Sequence, residues 1–145
     1  MEDTVLEAVA TTCTQLVRVN IGGCRYVRDG IVTLAKSCPI QFLRVAACPR
    51  IRDHEVQGIA CGTSDKLLGL DIGCVSSSLS DQGLRELGRC TALQELTIST
   101  AKNISDRGVY EMFFKNPAQI GLLPGNLACI SILFYLDQLF IALPR

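Results

Sequence analysis

The stretch LQELTISTAKNISDRGV, residues 93–109, combines an apolar strand pattern, a polar turn and the start of a helix. Leu93, Leu96 and Ile98 follow the order apolar-x-x-apolar-x-apolar, and alternate residues of a strand point to opposite faces of a sheet. Asp106 then precedes a segment with apolar residues at helical spacing. The stretch therefore predicts one strand–turn–helix unit.

The same pattern recurs at intervals of about 25 residues, which is typical of repeat architectures. The other strand-like segments are LVRVNIGGC (16–24), IQFLRVAAC (40–48) and LLGLDIGC (67–74). The helical segments are DGIVTLAKSC (29–38), DHEVQGIAC (53–61), DQGLRELGRC (81–90) and DRGVYEMFF (106–114). The predicted inward-facing series is Leu16, Val19, Ile21; Ile40, Leu43, Val45; Leu67, Leu70, Ile72; and Leu93, Leu96, Ile98. Such short helices are unstable alone and require packing on neighbouring units.

An aspartate opens every helical segment: Asp29, Asp53, Asp81 and Asp106. A carboxylate at a helix start can accept hydrogen bonds from the free N–H groups of the first turn, and it favours the positive end of the helix dipole. We interpret the aspartates as caps of their own helices rather than as a catalytic carboxylate pair.

The eight cysteines are periodic rather than paired, since no Cys-x-x-Cys occurs. Cys24, Cys48 and Cys74 form one ladder, while Cys13, Cys38, Cys61 and Cys90 form a second. Zinc sites usually have close-set ligand pairs, and the chain has one histidine, so the pattern favours one buried thiol per repeat over a metal site. The acidic N-terminus shows no signal peptide, and we expect free thiols and a cytoplasmic or nuclear protein.

The motif L-x-x-L-x-L-x-x-C-x-x-I-[TS]-D-x-G-[LV] resembles cysteine-containing leucine-rich repeats. Residues 93–109 match it best, with Ala101 at the cysteine position, and LSDQGLRELGRCTALQEL (79–96) is nearly as close. The resemblance implies an α/β leucine-rich-repeat solenoid of about four repeats. In that fold a curved parallel sheet lines the concave side and short helices lie on the convex side.

We predict three regions along the chain. The solenoid covers residues 1–116 and starts in mid-repeat, because residues 3–16 resemble the helical half of a unit. A Pro/Gly linker follows at 117–126, and an apolar tail helix at 127–143 either caps the stack or is a non-native extension. That tail is at the lower length limit for a membrane span, and Asp137 near its middle costs about 3 kcal/mol on insertion, so we expect no membrane insertion.

No arrangement of catalytic groups is apparent, and we predict neither enzymatic activity nor a cofactor. His54 follows Asp53 at a helix start and is expected to be exposed. Ser76–Ser78 lacks a nucleophile-elbow pattern, and the glycines of NIGG (20–23) lack phosphate-loop spacing.

Zero net charge, from 14 basic and 14 acidic side chains, provides no global field for nucleic acid. Six arginines fall between Arg18 and Arg52, and we interpret them as a solvated surface rather than a phosphate-binding patch.

The outward-facing strand positions form the candidate site. We predict that a protein segment binds the concave face, with Phe42 as an apolar anchor and the charge order setting its direction; a merely solvated face is an equal alternative. The predicted partner-binding residues are Arg18, Asn20, Phe42, Arg44, Asp71, Glu95 and Thr97.

The resemblance extends to F-box/leucine-rich-repeat proteins and to the antagonist of mitotic exit network family. It implies a substrate-recognition arm related to F-box ubiquitin-ligase adaptors, although this chain contains no F-box. A Skp-type adaptor and cullin complex is expected only if a longer form carries one. The alternatives are a structural scaffold in a cytoskeletal or ciliary complex and a membrane-tethered repeat protein.

Overall fold

The computed structural model describes residues 1–73, 79–99, 102–114 and 129–133, with only the backbone described for 113, 114 and 129–133. Helices and strands alternate along the described chain. The elements are α1 (Asp3–Thr12), β1 (Arg18–Asn20), α2 (Asp29–Ser37), β2 (Phe42–Arg44), α3 (Asp53–Thr63), β3 (Gly69–Asp71), α4 (Asp81–Leu87), β4 (Glu95–Ser99), α5 (Asp106–Phe114) and β5 (Cys129–Leu133). The protein is therefore of the α/β class, as predicted.

The described strands form one parallel sheet in the order β1-β2-β3-β4-β5, so each strand pairs with the next in sequence. The register places Val19, Leu43, Leu70 and Leu96 in one row across the first four strands. Each helix from α1 to α4 packs against the next helix along the chain. Successive strand–helix units consequently lie side by side.

The core lies between the sheet and the helices, because one hydrophobic cluster contains residues of both. The predicted inward-facing series is confirmed. The predicted residues of β2, β3 and β4, together with those that flank these strands, are buried. Around β1, Ile21 is buried, whereas Leu16 and Val19 are only partly buried. Among the described strands β1 is an edge, so its side chains have a neighbouring strand on one side only.

The turn after β1 requires a left-handed backbone. Gly23 adopts φ 78°, and Ala47 adopts φ 57° at the corresponding place after β2. Their N–H groups donate to carbonyls of the neighbouring turn, Gly23 to Ala46 O at 2.8 Å and Ala47 to Gly73 O at 2.8 Å. The turns therefore stack in the same register as the strands, and each ends at a cysteine, Cys24 or Cys48.

The predicted tail helix over 127–143 is wrong for Cys129–Leu133, which form strand β5. β5 pairs in parallel with β4 over five residues, from Glu95↔Cys129 to Ser99↔Leu133. The edge of β4 would otherwise present free N–H and C=O groups, and the β-branched Ile130 and Ile132 favour a strand. The rest of the predicted tail and the predicted linker at 117–126 lie outside the described residues.

Candidate functional site

All seven predicted partner-binding residues project from one face of the sheet, which we call the open face. They line a single groove of about 310 Å³ that crosses β1, β2, β3 and β4. Two in-register rows produce this arrangement. The first row is Arg18, Phe42, Gly69 and Glu95, and the second is Asn20, Arg44, Asp71 and Thr97.

The first row is organised around Phe42. The guanidinium carbon of Arg18 lies 4.0 Å from the centroid of the Phe42 ring, a cation–π contact. On the other side the ring lies over Gly69, where an added Cβ would be 2.7 Å from Phe42 Cδ1. The ring is therefore half-buried between Arg18 and the backbone of β3, and only part of it remains available to a partner.

The second row is largely engaged within the protein. Arg44 Nε lies 3.1 Å from Asp71 Oδ2. Asn20 Oδ1 accepts a hydrogen bond from Gly22 N at 3.1 Å, and Asp71 Oδ1 accepts one from Gly73 N at 2.9 Å. Asn20 and Asp71 thus shape the turns after their own strands, and Arg44 and Asp71 neutralise each other in the middle of the groove.

Charges remain at the two ends of the first row. In the described part of the chain, no ion pair involves Arg18 on β1 or Glu95 on β4, and both side chains are exposed. The groove is therefore positive at one end and negative at the other. The predicted charge order, with arginines on the first two strands and acids on the next two, is present, but Arg44 and Asp71 neutralise each other.

The groove also contains residues that the prediction omitted, namely Val19, Leu43, Gly69 and Leu70. Val19, Leu43 and Leu70 are the strand residues between the two rows, and their side chains pack in or against the core. Gly69, which was also missing from the predicted site residues, determines where the Phe42 ring lies. The absence of a side chain at this row position is what lets the Phe42 ring extend over β3.

A second set of contacts joins successive helices through aspartates. Asp53 accepts hydrogen bonds from Ser80 N at 2.8 Å and Ser80 Oγ at 2.6 Å, and Asp81 accepts from Ser105 N at 2.7 Å and Ser105 Oγ at 2.6 Å. Asp3 likewise accepts from Arg28 N at 2.7 Å. Each carboxylate therefore binds the start of the following helix.

This corrects the prediction that each aspartate caps its own helix. There is no side-chain cap hydrogen bond at the start of α2, and at α4 the cap is the Ser80 hydroxyl, which accepts from Gln82 N. The close approach of each aspartate also requires glycine. A Cβ at Gly83 would lie 2.5 Å from Asp53 Oδ1, and one at Gly108 would overlap the carboxylate of Asp81.

The start of α3 departs from this arrangement, because the acceptor there is Glu55 of α3 itself and not an aspartate of the preceding helix. The Glu55 side chain is fully buried, and it accepts hydrogen bonds from Arg52 N at 2.9 Å and from Arg28 Nε at 2.9 Å. Burial alone would raise the pKa of Glu55, but the hydrogen bonds from Arg28 and Arg52 outweigh it, and the net pKa is lowered. Glu55 is therefore held as a carboxylate.

We expect acid to weaken the fold through Glu55. A carboxyl group with a lowered folded-state pKa stabilises the protein above its unfolded pKa, about 4.3 for Glu, and this contribution is lost as the pH falls through the folded value. In urea unfolding from about pH 6 to about pH 3, the wild type should lose stability more steeply than Glu55→Gln. Glu7→Gln, at an exposed site on α1, should follow the wild type. Parallel curves for the wild type and Glu55→Gln would contradict the assignment.

Comparisons with known proteins identify a fold and no family. No protein-family model and no curated protein matches the chain. Among solved structures, the chain is similar to that of "Leiomodin-1 Actin-Binding Site 2 (ABS2)", at TM-score 0.65 and 17% sequence identity. The match covers 94% of this chain and 80% of that chain. The two share a fold. No helix within the described residues has the length and apolar character that a bilayer crossing requires.

The cysteine prediction is confirmed in part. Cys38, Cys48 and Cys90 are buried and Cys24 is partly buried, but Cys13 and Cys61 are exposed, and these six are free thiols. Cys74 lies outside the described residues. Burial raises the pKa of Cys90 to about 12 and also raises that of Cys48. Both thiols are therefore protonated at neutral pH and unsuited to nucleophilic attack.

The buried thiols contact the preceding unit. Cys48 Sγ lies 3.2 Å from Ile21 O, and Cys38 Sγ lies 3.4 Å from Cys13 O, each in position to donate a weak S–H···O hydrogen bond. A cysteine therefore suits positions 38 and 48, because its side chain is small and its thiol is a weak hydrogen-bond donor.

His54 is an exposed residue of α3, as predicted, with 71% of its side chain accessible. Its ring approaches Asp29 and Glu55, and one possible ligand atom from each of the three falls within a 4.8 Å cluster. Both oxygens of Glu55 are already hydrogen-bonded, one of them to the cationic Arg28. A metal ion would have to displace that guanidinium, so the cluster is better explained as a hydrogen-bonded helix start.

Proposed function

We propose that the chain is a leucine-rich-repeat-type solenoid that acts as a non-catalytic protein-interaction module, with the open-face groove as its binding surface. The observation that carries this proposal is the groove itself. Aromatic, cationic, anionic and hydroxyl side chains project into it from four adjacent strands. Rigid strands hold these groups in fixed positions, which reduces the ordering cost of binding a partner.

The composition of the groove supports a protein segment as the ligand. Arginine and aromatic side chains are enriched at protein–protein contact sites, and Phe42 with Arg18 stacked on it forms such a pair on the first two strands of the groove. The acidic residues Asp71 and Glu95 disfavour a nucleic-acid backbone at the same surface. On this basis the open face is a docking surface, and the aspartate contacts and buried thiols maintain the stack that supports it.

The predicted relation to ubiquitin-ligase adaptors rests on the repeat resemblance alone. A Skp-type adaptor and cullin complex remains a candidate assembly for a longer form that carries an F-box. The open-face groove would then bind the substrate protein.

A random peptide library, displayed on phage and selected on the intact chain, tests the proposal. We expect selected peptides to bind Phe42→Ala at least about tenfold more weakly than the wild type, since truncating an aromatic hot-spot residue typically costs about 2 kcal/mol or more. Tyr26→Ala is the matched control, because Tyr26 is an exposed aromatic residue that does not line the groove. Thermal unfolding verifies that both variants fold. Peptides that bind wild type and Phe42→Ala equally would reject the groove as the binding surface.

A second candidate function is the cytoskeletal scaffold. The structurally similar region of leiomodin-1 is named as an actin-binding site. Co-sedimentation with filamentous actin tests this candidate directly. Sedimentation of the wild type with filaments would support it, and a protein that stays in the supernatant at saturating filament concentration would exclude it.

A further inference from the structure

We infer that the open-face groove recognises an extended peptide that carries an acidic and a basic side chain about four positions apart (i and i+4), with an apolar side chain midway between them. The inference rests on the proposed function and specifies the ligand of that groove. It depends on which charges of the groove are free and how far apart they lie.

The free charges are those of the first row. Arg44 and Asp71 are paired at 3.1 Å, and neutralising a ligand charge with either one would mean breaking that pair. Arg18 and Glu95 have no such partner among the described residues. A ligand therefore gains most by placing opposite charges at the two ends of the first row.

Arg18 is suited to a carboxylate in particular. Its guanidinium is stacked on the Phe42 ring, which restricts its rotamers while leaving the in-plane N–H groups able to donate. A planar donor fork of this kind matches a carboxylate bidentately. Stacking on Phe42 thus prepares the positive end of the groove for an aspartate or glutamate side chain.

The separation of the two ends sets the spacing in the ligand. Arg18, Phe42, Gly69 and Glu95 are in register on consecutive strands, so Arg18 and Glu95 are three strand spacings apart, or roughly 14 Å. An extended peptide advances about 3.3 Å per residue, and roughly four residues cover that distance. The middle of such a segment lies over the accessible part of Phe42, where an apolar side chain packs.

The test is a charge-specificity switch with fixed synthetic peptides. Three peptides share one apolar centre and differ at the two ends: acid with base, base with base, and acid with acid. The wild type should prefer the acid–base peptide by about fivefold, the upper range for one exposed ion pair. Arg18→Glu should prefer the base–base peptide and Glu95→Lys the acid–acid peptide. The two comparison peptides carry like charges at both ends, because a peptide with its two charges exchanged could bind in the opposite direction and make the same ion pairs.

Arg25→Glu is the matched control, since Arg25 is exposed and does not line the groove. It should keep the wild-type preference. The outcomes separate this inference from the proposed function. Peptides that need Phe42 but show the same charge preference on all variants would overturn the inference and leave the groove as a docking surface. Binding that is independent of Phe42 would overturn both.

Discussion

Replacing Asp53 by alanine is expected to lower the free energy of unfolding by about 2–3 kcal/mol, because two hydrogen bonds to a charged acceptor are lost at once. Asp53 accepts from both the backbone N–H and the hydroxyl of Ser80, at 2.8 Å and 2.6 Å. The variant leaves these donors at the start of α4 without their acceptor. The cost therefore falls on the junction between α3 and α4.

Asp29→Ala is the matched control for this substitution. Asp29 begins α2 as Asp53 begins α3, so both variants lose the same favourable interaction with the helix dipole. Asp29 makes no hydrogen bond through its carboxylate within the described residues, because Glu55 binds the start of α3 in its place. We expect Asp29→Ala to cost about 0.5 kcal/mol.

Urea unfolding of the two variants measures the difference directly. A double-mutant cycle with Ser80→Ala then isolates the contact between Asp53 and Ser80, with a coupling of about 1 kcal/mol or more expected for residues in direct contact. Equal costs for Asp53→Ala and Asp29→Ala would show that the aspartates act only on their own helices, as the sequence-based prediction had it.

Gly62→Ala is expected to destabilise the protein by about 2 kcal/mol, although alanine is the better helix former by about 1 kcal/mol. An added Cβ at Gly62 would lie 2.8 Å from the carbonyl carbon of Ala35 and 2.9 Å from the backbone nitrogen of Lys36. These atoms belong to the backbone of α2, which cannot rotate away. The substitution must therefore push α2 and α3 apart.

Gly58→Ala provides the comparison, since Gly58 lies one turn earlier in the same helix. There an added Cβ would meet the methyl groups of Val32, with the nearest at 2.6 Å. The obstacle is a side chain, so Val32→Ala removes it, and Gly58→Ala should be tolerated better in the Val32→Ala background than in the wild type. No single side-chain truncation can relieve Gly62→Ala in this way. Thermal unfolding of these variants checks both statements, and a neutral Gly62→Ala would show that the helices are not held in close contact there.

The strand faces were predictable from sequence because they depend on a local rule. Alternation places Leu43, Leu70 and Leu96 inward and Phe42, Arg44 and Glu95 outward, whatever the neighbours are. The equal spacing of the units then brings the outward residues into rows. For this reason the seven predicted site residues do line one groove, although what binds there remains a proposal.

The use of each outward side chain was not predictable, because it depends on the side chain next to it on the adjacent strand. Arg44 and Asp71 are far apart in sequence and pair only because the register aligns their strands. Arg18 finds the Phe42 ring in the same way. Sequence spacing alone does not distinguish a charge that is neutralised by a neighbour from one that remains available to a ligand.

By itself the sequence determined the repeating unit, the inward and outward faces of its strands, and the starts of its helices, since hydrophobic periodicity and helix-start chemistry act within a few residues. The tertiary structure decided which helix each aspartate binds, that Glu55 replaces this contact at α3, and that Cys129–Leu133 extend the sheet. These outcomes depend on which backbone donors are left without a partner when neighbouring units meet, and folding determines which donors those are.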